Sequence, residues 1–193
     1  MFQVRMHGRA GQGVVTGAET LSRAAFLEGS CAQVLLSFGP QRAGTPVVAC
    51  CLIDDRPIRL EEPIMDPDVV IIADPAQLED ADALEALCRT DWALVNTLRS
   101  GDAAALADSL APRHCLTVPA THLASEHLGR PIPNTALLGA LCATAMGPRI
   151  EFLEQAIMQK FSGLMGAWNV RAARAGHAHL RSALRAEAVH AQA

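Results

Sequence analysis

The chain has no tyrosine, two tryptophans and five phenylalanines, and its sixteen basic residues include a single lysine, Lys160. With a net charge of −4 and no cluster of basic residues interleaved with aromatics, it lacks the electrostatic footprint of a nucleic-acid binder. The bias to arginine fits either anion recognition or the compositional habit of an alanine-rich chain. No charge falls between Pro131 and Pro148, but Pro133 and Gly147-Pro148 bound that run. Its helix would have about 13 residues and reach roughly 20 Å, against roughly 30 Å of bilayer hydrocarbon, so a buried helix is expected and no membrane insertion. The amino terminus enters an alternating segment at Phe2 without a basic stretch and apolar core before it, which predicts no secretory leader and a cytoplasmic location.

Ligand spacings are scarce too. None of the six cysteines, Cys31, Cys50, Cys51, Cys88, Cys115 and Cys142, forms a C-x-x-C pair, so neither a zinc site nor an iron-sulfur cluster has its ligands here. Most lie in apolar strands or helices and read as buried thiols of a reducing compartment. His122 and Glu126-His127 stand at H-x-x-x-E-H, one residue off a zinc motif, and on a helix the two imidazoles would point roughly 140° apart. His177 and His179 read as solvent-facing. There is no G-x-S-x-G elbow for a serine nucleophile. The acidic pairs Asp54-Asp55 and Glu61-Glu62 read as solvated turn residues. No catalytic or metal-binding residue is therefore assigned.

The stretch Met6-His7-Gly8-Arg9-Ala10-Gly11-Gln12-Gly13-Val14-Val15-Thr16 stands out against these absences. An alternating segment, with Phe2, Val4 and Met6 on one face, runs into three glycines, and a helical pattern follows through Leu21, Ala24, Ala25 and Phe26. Glycines permit positive φ and close approach of a ligand, and the free amides and dipole of the new helix form an anion site. A P-loop would need Gly-Lys-Ser/Thr where Gly13-Val14-Val15 stands. A dinucleotide fingerprint would need glycine where Thr16 stands, and an acid roughly 20 residues on that is missing. A turn used only for tight helix-strand packing stays open.

Further on, Cys31–Leu36 and Pro46–Ile53 read as strands, Asp54-Asp55-Arg56-Pro57 as a turn, and Ile58–Leu60 as a short strand returning to make an antiparallel hairpin at one sheet edge. Val69–Ala73 is a continuous apolar run, the mark of a central strand buried on both faces. Leu78, Ala81, Leu84 and Leu87 predict a helix over 76–88, followed by strand Trp92–Asn96, a short helix over 103–110 and strand Cys115–Val118. From about 134 to 193 only helix is predicted: Asn134 caps a segment over 135–146, Ile150, Leu153, Ile157 and Phe161 stripe the next, and an alanine- and arginine-rich tail follows. The expectation is one α/β domain over residues 1–193, a three-layer sandwich around a mostly parallel, mixed sheet with a Rossmann-like start and C-terminal helices. Half the residues are hydrophobic. That suits a chain which gives up surface to an obligate partner, although a large core would have the same composition.

Taken in order, His7–Thr16, Ser37-Phe38-Gly39-Pro40-Gln41-Arg42-Ala43-Gly44-Thr45-Pro46-Val47, Ile53–Arg59, Pro67-Asp68-Val69-Val70-Ile71-Ile72, Pro133-Asn134-Thr135-Ala136-Leu137-Leu138-Gly139-Ala140, and Asn169 with Gly176 resemble the gamma subunit of the 2-oxoacid:acceptor oxidoreductases, the family that includes pyruvate:ferredoxin oxidoreductase. The resemblance spans essentially the whole chain, with Ala10 where a glycine is common and His177 where an aromatic is expected. It implies partners, the alpha, beta and delta subunits, with a further NAD/FAD electron-transfer subunit in some assemblies. Those chains would hold thiamine diphosphate with Mg2+ and [4Fe-4S] clusters and pass electrons to ferredoxin or NAD. Pyruvate, a branched-chain or aromatic oxoacid such as phenylglyoxylate, and 2-oxoglutarate all fit the family, whose setting is anaerobic metabolism. For this chain it implies contact with coenzyme A and closure over the active site. The expected anion loop is Gly8, Arg9, Gly11, Gln12, Gly13 and Thr16, with Ser37, Phe38, Arg42, Gly44 and Asn134 beside it. Two other readings stay open: an assembly subunit with no ligand of its own, and a stand-alone nucleotide-binding protein.

Overall fold

In a computed structural model describing residues 1–38, 45–60, 65–98, 114–144 and 146–190, the opening alternation becomes β1 (Phe2–Arg9). Val4 and Met6 are buried on one face of it, Arg5 and His7 on the other. α1 (Val14–Leu27), β2 (Cys31–Phe38), β3 (Pro46–Asp54) and β4 (Val69–Ile72) follow. After a 3-10 turn (Pro75–Glu79) come α2 (Ala81–Cys88), β5 (Trp92–Asn96), β6 (His114–Val118), α3 (Ala120–Leu128), α4 (Asn134–Leu141), α5 (Ile150–Lys160) and α6 (Gly163–His190). The helix expected over 103–110 lies outside the described residues.

The strands form one sheet in the order β2-β3-β1-β4-β5-β6. β1, β4, β5 and β6 run parallel, and β3 is antiparallel to both its neighbours. Even-numbered residues of β1 and odd-numbered residues of β3 and β4 enter the main core: Val4, Met6, Ala49, Cys51, Val69 and Ile71 meet α1 and α3 to α6. The opposite face packs Val70, Ile72, Ala93 and Val95 on α2, and Cys50 and Leu52 on Ile58. The expected three layers are present, with unequal shares of helix among the described residues.

Four sequence expectations need correction. Ile58–Leu60 is not a strand: β3 is already flanked by β2 and β1, so no free edge remains, and the segment crosses the sheet face with the Leu60 carbonyl accepting from Gln33 Nε2 at 2.7 Å. The antiparallel element at the sheet edge is β2 on β3. The helix over 76–88 is divided at Asp80, whose carboxylate accepts from the Asp82 and Ala83 amides and caps α2. Asn134 is the first helical residue rather than the cap. α4 stops at Leu141, after which the Ala143 and Thr144 amides turn to the carbonyls three residues back, Ala140 and Leu141, and the Thr144 hydroxyl also donates to the Leu141 carbonyl at 2.7 Å. Every residue of α4 is buried, as expected for the uncharged run.

Candidate functional site

β1, β4, β5 and β6 point their carboxyl ends the same way, and the chain leaves β1 toward β2 and β3 on one side before returning to β4 on the other. This is the reversal of strand order at which open α/β sheets bind ligands. Side chains fix the crevice. The Ala73 amide donates to the His7 carbonyl at 2.7 Å, and buried Asn96 donates to the Ala73 carbonyl at 2.8 Å and to Thr121 Oγ1 at 2.7 Å. The loop after β4 is thereby clamped between β1 and β5 at the start of α3, which places Asp74 beside the glycine turn.

In that turn Gly11 has φ 95° and Gly13 φ 75°, left-handed backbone that favours glycine. A Cβ on Gly13 would also run into the carboxamide of Asn134. That carboxamide donates to the Gly13 carbonyl at 3.1 Å and accepts from the Thr135 amide at 2.8 Å. Asn134 thus joins the start of α4 to the start of α1. α1 itself begins with no side-chain cap and no acid in its first turn, so the Val14, Val15 and Thr16 amides and the positive end of the helix face the crevice.

In front of them lies a cleft of about 760 Å³. One wall is Arg9, Gly11, Gly13, Val14, Val15 and Thr16. The second is Thr45, Pro46 and Val47 at the start of β3, the third Leu128, Arg130 and Ile132 between α3 and α4, and the fourth Phe161, Met165 and Asn169 at the head of α6. Asn169 is held by accepting from the Thr135 hydroxyl at 3.2 Å and donating to the Met165 carbonyl at 2.8 Å. The volume lies within the range of roughly 300–1,000 Å³ usual for small-molecule sites, and mixed apolar walls with a few polar groups are their usual chemistry.

Of the residues expected from sequence, Arg9, Gly11, Gly13, Thr16 and Asn134 line this cleft. Gly8 and Gln12 stand behind the loop. Gly8 leaves room for Val14 and Ala73, while Gln12 accepts from the Arg9 amide at 2.8 Å and donates to Asp74 at 3.0 Å. Ser37 is exposed on edge strand β2, two strands from β1, and is not among the cleft residues. Arg42, Gly44 and the side chain of Phe38 lie outside the described residues. Sequence reading missed Arg130, Ile132, Phe161 and Met165, for which no local motif gives a signal. They reach the cleft only through packing of α3, α4 and α6.

Behind the sheet, His7 is fully buried, with no hydrogen-bond partner for either ring nitrogen and Nδ1 3.9 Å from Asp82. Burial, and then the Arg5 guanidinium, lower its pKa to about 4. Burial likewise pushes the Cys51 thiol up to about 12 and the Cys142 thiol further, which keeps both protonated and unreactive. Among the described residues no group of three histidine, cysteine or acidic side chains gathers as a metal site, and no helix is long and apolar enough to cross a membrane.

The family model for pyruvate ferredoxin/flavodoxin oxidoreductase matches residues 3–179. The chain is 44% identical over 174 residues to the pyruvate/ketoisovalerate oxidoreductases common subunit gamma of Pyrococcus furiosus, covering 90% of this chain and 94% of that one. It is 38% identical over 173 residues to the pyruvate synthase subunit PorC of Methanocaldococcus jannaschii, covering 90% and 93%. Among solved structures, pyruvate oxidoreductase subunit PORC of Thermotoga maritima superposes with a TM-score of 0.75 at 31% identity, covering 91% of this chain and 94% of that one. The 2-oxoglutarate:ferredoxin oxidoreductase of Magnetococcus marinus, solved with 2-oxoglutarate, coenzyme A and succinyl-CoA bound, gives 0.70 at 17% identity over 94% of this chain and 31% of that one, a likeness of fold.

Proposed function

The chain belongs to the pyruvate ferredoxin/flavodoxin oxidoreductase family as a gamma subunit, and from that membership we propose that it holds coenzyme A in the cleft at the head of α1 and closes over the active site of the assembled enzyme. The observation that carries this reading is the uncapped start of α1 opening onto a cleft whose remaining walls are largely apolar. Coenzyme A is a chain of phosphates joined to a long, weakly polar, thiol-ended arm. The amides of Val14, Val15 and Thr16 suit the phosphates. Val47, Leu128, Ile132, Phe161 and Met165 suit the arm and keep water from it. Gly8, Gln12 and Asn134 act by holding the loop, and Arg42 stays in the proposed set on the sequence resemblance alone.

Decarboxylation of the 2-oxoacid belongs, on this reading, to partner alpha, beta and delta chains with thiamine diphosphate, Mg2+ and iron-sulfur clusters, in the cytoplasm, with ferredoxin or NAD as acceptor. Those cofactors supply the carbanion chemistry and the single-electron path, and this chain presents the thiol that takes the acyl group. Coenzyme A added to the assembled oxidoreductase is expected to contact residues 9–16, and Arg42→Ala to raise the coenzyme A requirement while sparing decarboxylation.

The rival reading, an assembly subunit without a ligand, has support in the exposure of Phe26 (60%), Leu98 (77%) and Leu164 (69%). Coenzyme A bound wholly on partner chains would establish that reading instead.

A further inference from the structure

Two cationic side chains line the cleft, and their surroundings differ. Arg9 Nε lies 3.1 Å from Asp74 Oδ2, the same oxygen that accepts from Gln12 Nε2 at 3.0 Å, while Gln12 Oε1 accepts from the Arg9 amide at 2.8 Å. Asp74 Oδ1 accepts in turn from the Ala76 amide at 3.0 Å, so the carboxylate is fixed by the loop after β4. Arg9 is enclosed by main chain and side chain in a ring that ties the glycine turn to that loop. A ligand anion approaching its guanidinium also approaches the Asp74 charge, and the attraction is largely offset.

Arg130 stands on the opposite wall, directly after Gly129, whose left-handed φ of 67° ends α3. Its carbonyl accepts from the Ile132 amide at 2.9 Å, which sets the backbone, and among the described residues its guanidinium has no carboxylate or other partner. Apolar Leu128 and Ile132 flank it on the same wall.

We propose, resting on the coenzyme A reading above, that the two arginines divide the work: Arg130 is the specificity residue that grips a phosphate of the ligand, and Arg9 with Asp74 is a positioning pair that holds the glycine turn in shape. A planar guanidinium free on a cleft wall meets a phosphate bidentately without first giving up another ion pair. The sequence expectation that Arg9 takes the phosphate is thereby reassigned.

The test is titration of the assembled oxidoreductase containing this chain with coenzyme A and, separately, with pantetheine, which keeps the arm and lacks the phosphates. Arg130→Gln is expected to weaken coenzyme A about tenfold, to leave pantetheine unchanged and to flatten the salt dependence of coenzyme A binding. Arg130→Lys, which keeps the charge and loses the fork, is expected to fall between. Arg9→Gln is expected to lower the affinity for both ligands in the same proportion, and Asp74→Asn to leave coenzyme A binding as tight as in wild type or tighter, with a lower melting temperature. Coenzyme A binding by Arg130→Gln equal to wild type, or a phosphate-selective loss in Arg9→Gln, overturns the division of labour while the coenzyme A reading stands. A wild-type assembly that binds coenzyme A without contact to this chain overturns the coenzyme A reading itself, and this proposal with it.

Discussion

Gly11 and Gly13 both sit at left-handed φ, yet their surroundings put different limits on substitution. Around Gly11 nothing lies within 4 Å of the place a Cβ would take, so Gly11→Ala meets only backbone strain, on the order of 1–2 kcal/mol. Gly13→Ala meets the same strain and also drives Asn134 from its bond to the Gly13 carbonyl, leaving buried amide groups unpaired at a further cost of about 1–3 kcal/mol. Urea unfolding of the two variants is expected to rank them in that order. Equal losses would mean that Asn134 moves freely and does not brace the turn. The glycines were legible in sequence because positive φ is a property of single residues. Asn134 was legible as a helix-start residue but not as a brace, since its partner lies 121 positions away. Arg130 carried no mark at all, because nothing local distinguishes an arginine facing a cleft from one facing water.

α4 and α6 cross where neither can carry a side chain. A Cβ on Gly139 would collide with the Ala173 carbonyl, and one on Gly176 with the Ala136 carbonyl. In an isolated helix Gly→Ala gains roughly 1 kcal/mol. Here the obstacle is backbone, which cannot rotate aside, and overpacking of about 1–3 kcal/mol or more outweighs that gain. Gly139→Ala and Gly176→Ala are each expected to lower the unfolding midpoint. A rise in either would show that the helices have room to separate. By contrast Asp80→Ala meets no such obstacle and removes the cap of α2, and calorimetry at pH 7, where His7 is neutral, is expected to find a loss of about 1 kcal/mol. This contrast also shows which elements could be read from sequence. The uncharged run of α4 announced a buried helix, but not its end, where the Ala143 and Thr144 amides tighten onto Ala140 and Leu141 and the Thr144 hydroxyl joins them on the Leu141 carbonyl. α3 went unannounced because its turn at Pro119 and its few buried positions, Ala120, Ala124 and Leu128, make a weak stripe. Ile58–Leu60 has strand composition, but both sides of β3, the strand it would fold back on, are taken by β2 and β1, a fact about the sheet and not about the segment.

At the scale of the molecule, one sheet face carries the large core with its cleft, and the other packs, among the described residues, against α2 and Ile58. His7 lies under that second layer, near the N-terminus of α2, with Arg5 on its own strand and Asp80 and Asp82 on and beside the helix as the charges that act on it. Folded, its pKa is about 4, against about 6.5 for a free imidazole. Above pH 6.5 both folded and unfolded chains hold it neutral, and it contributes nothing to pH dependence. As pH falls from 6.5 toward 4 the unfolded chain binds a proton that the folded chain refuses, so stability declines with acid, by a total on the order of 3 kcal/mol. His7→Leu removes that proton and also the two unpartnered ring nitrogens. Chemical denaturation across this pH range is therefore expected to show a slope shallower by about one proton in the variant, with stability at pH 7 no lower than wild type. Parallel slopes for the two proteins would show that the imidazole gains a partner on protonation, with Asp82, now 3.9 Å away, closing to meet it. In that case the second layer would be a yielding cover over the sheet, and α2 would shift with pH while the cleft on the far face kept its shape.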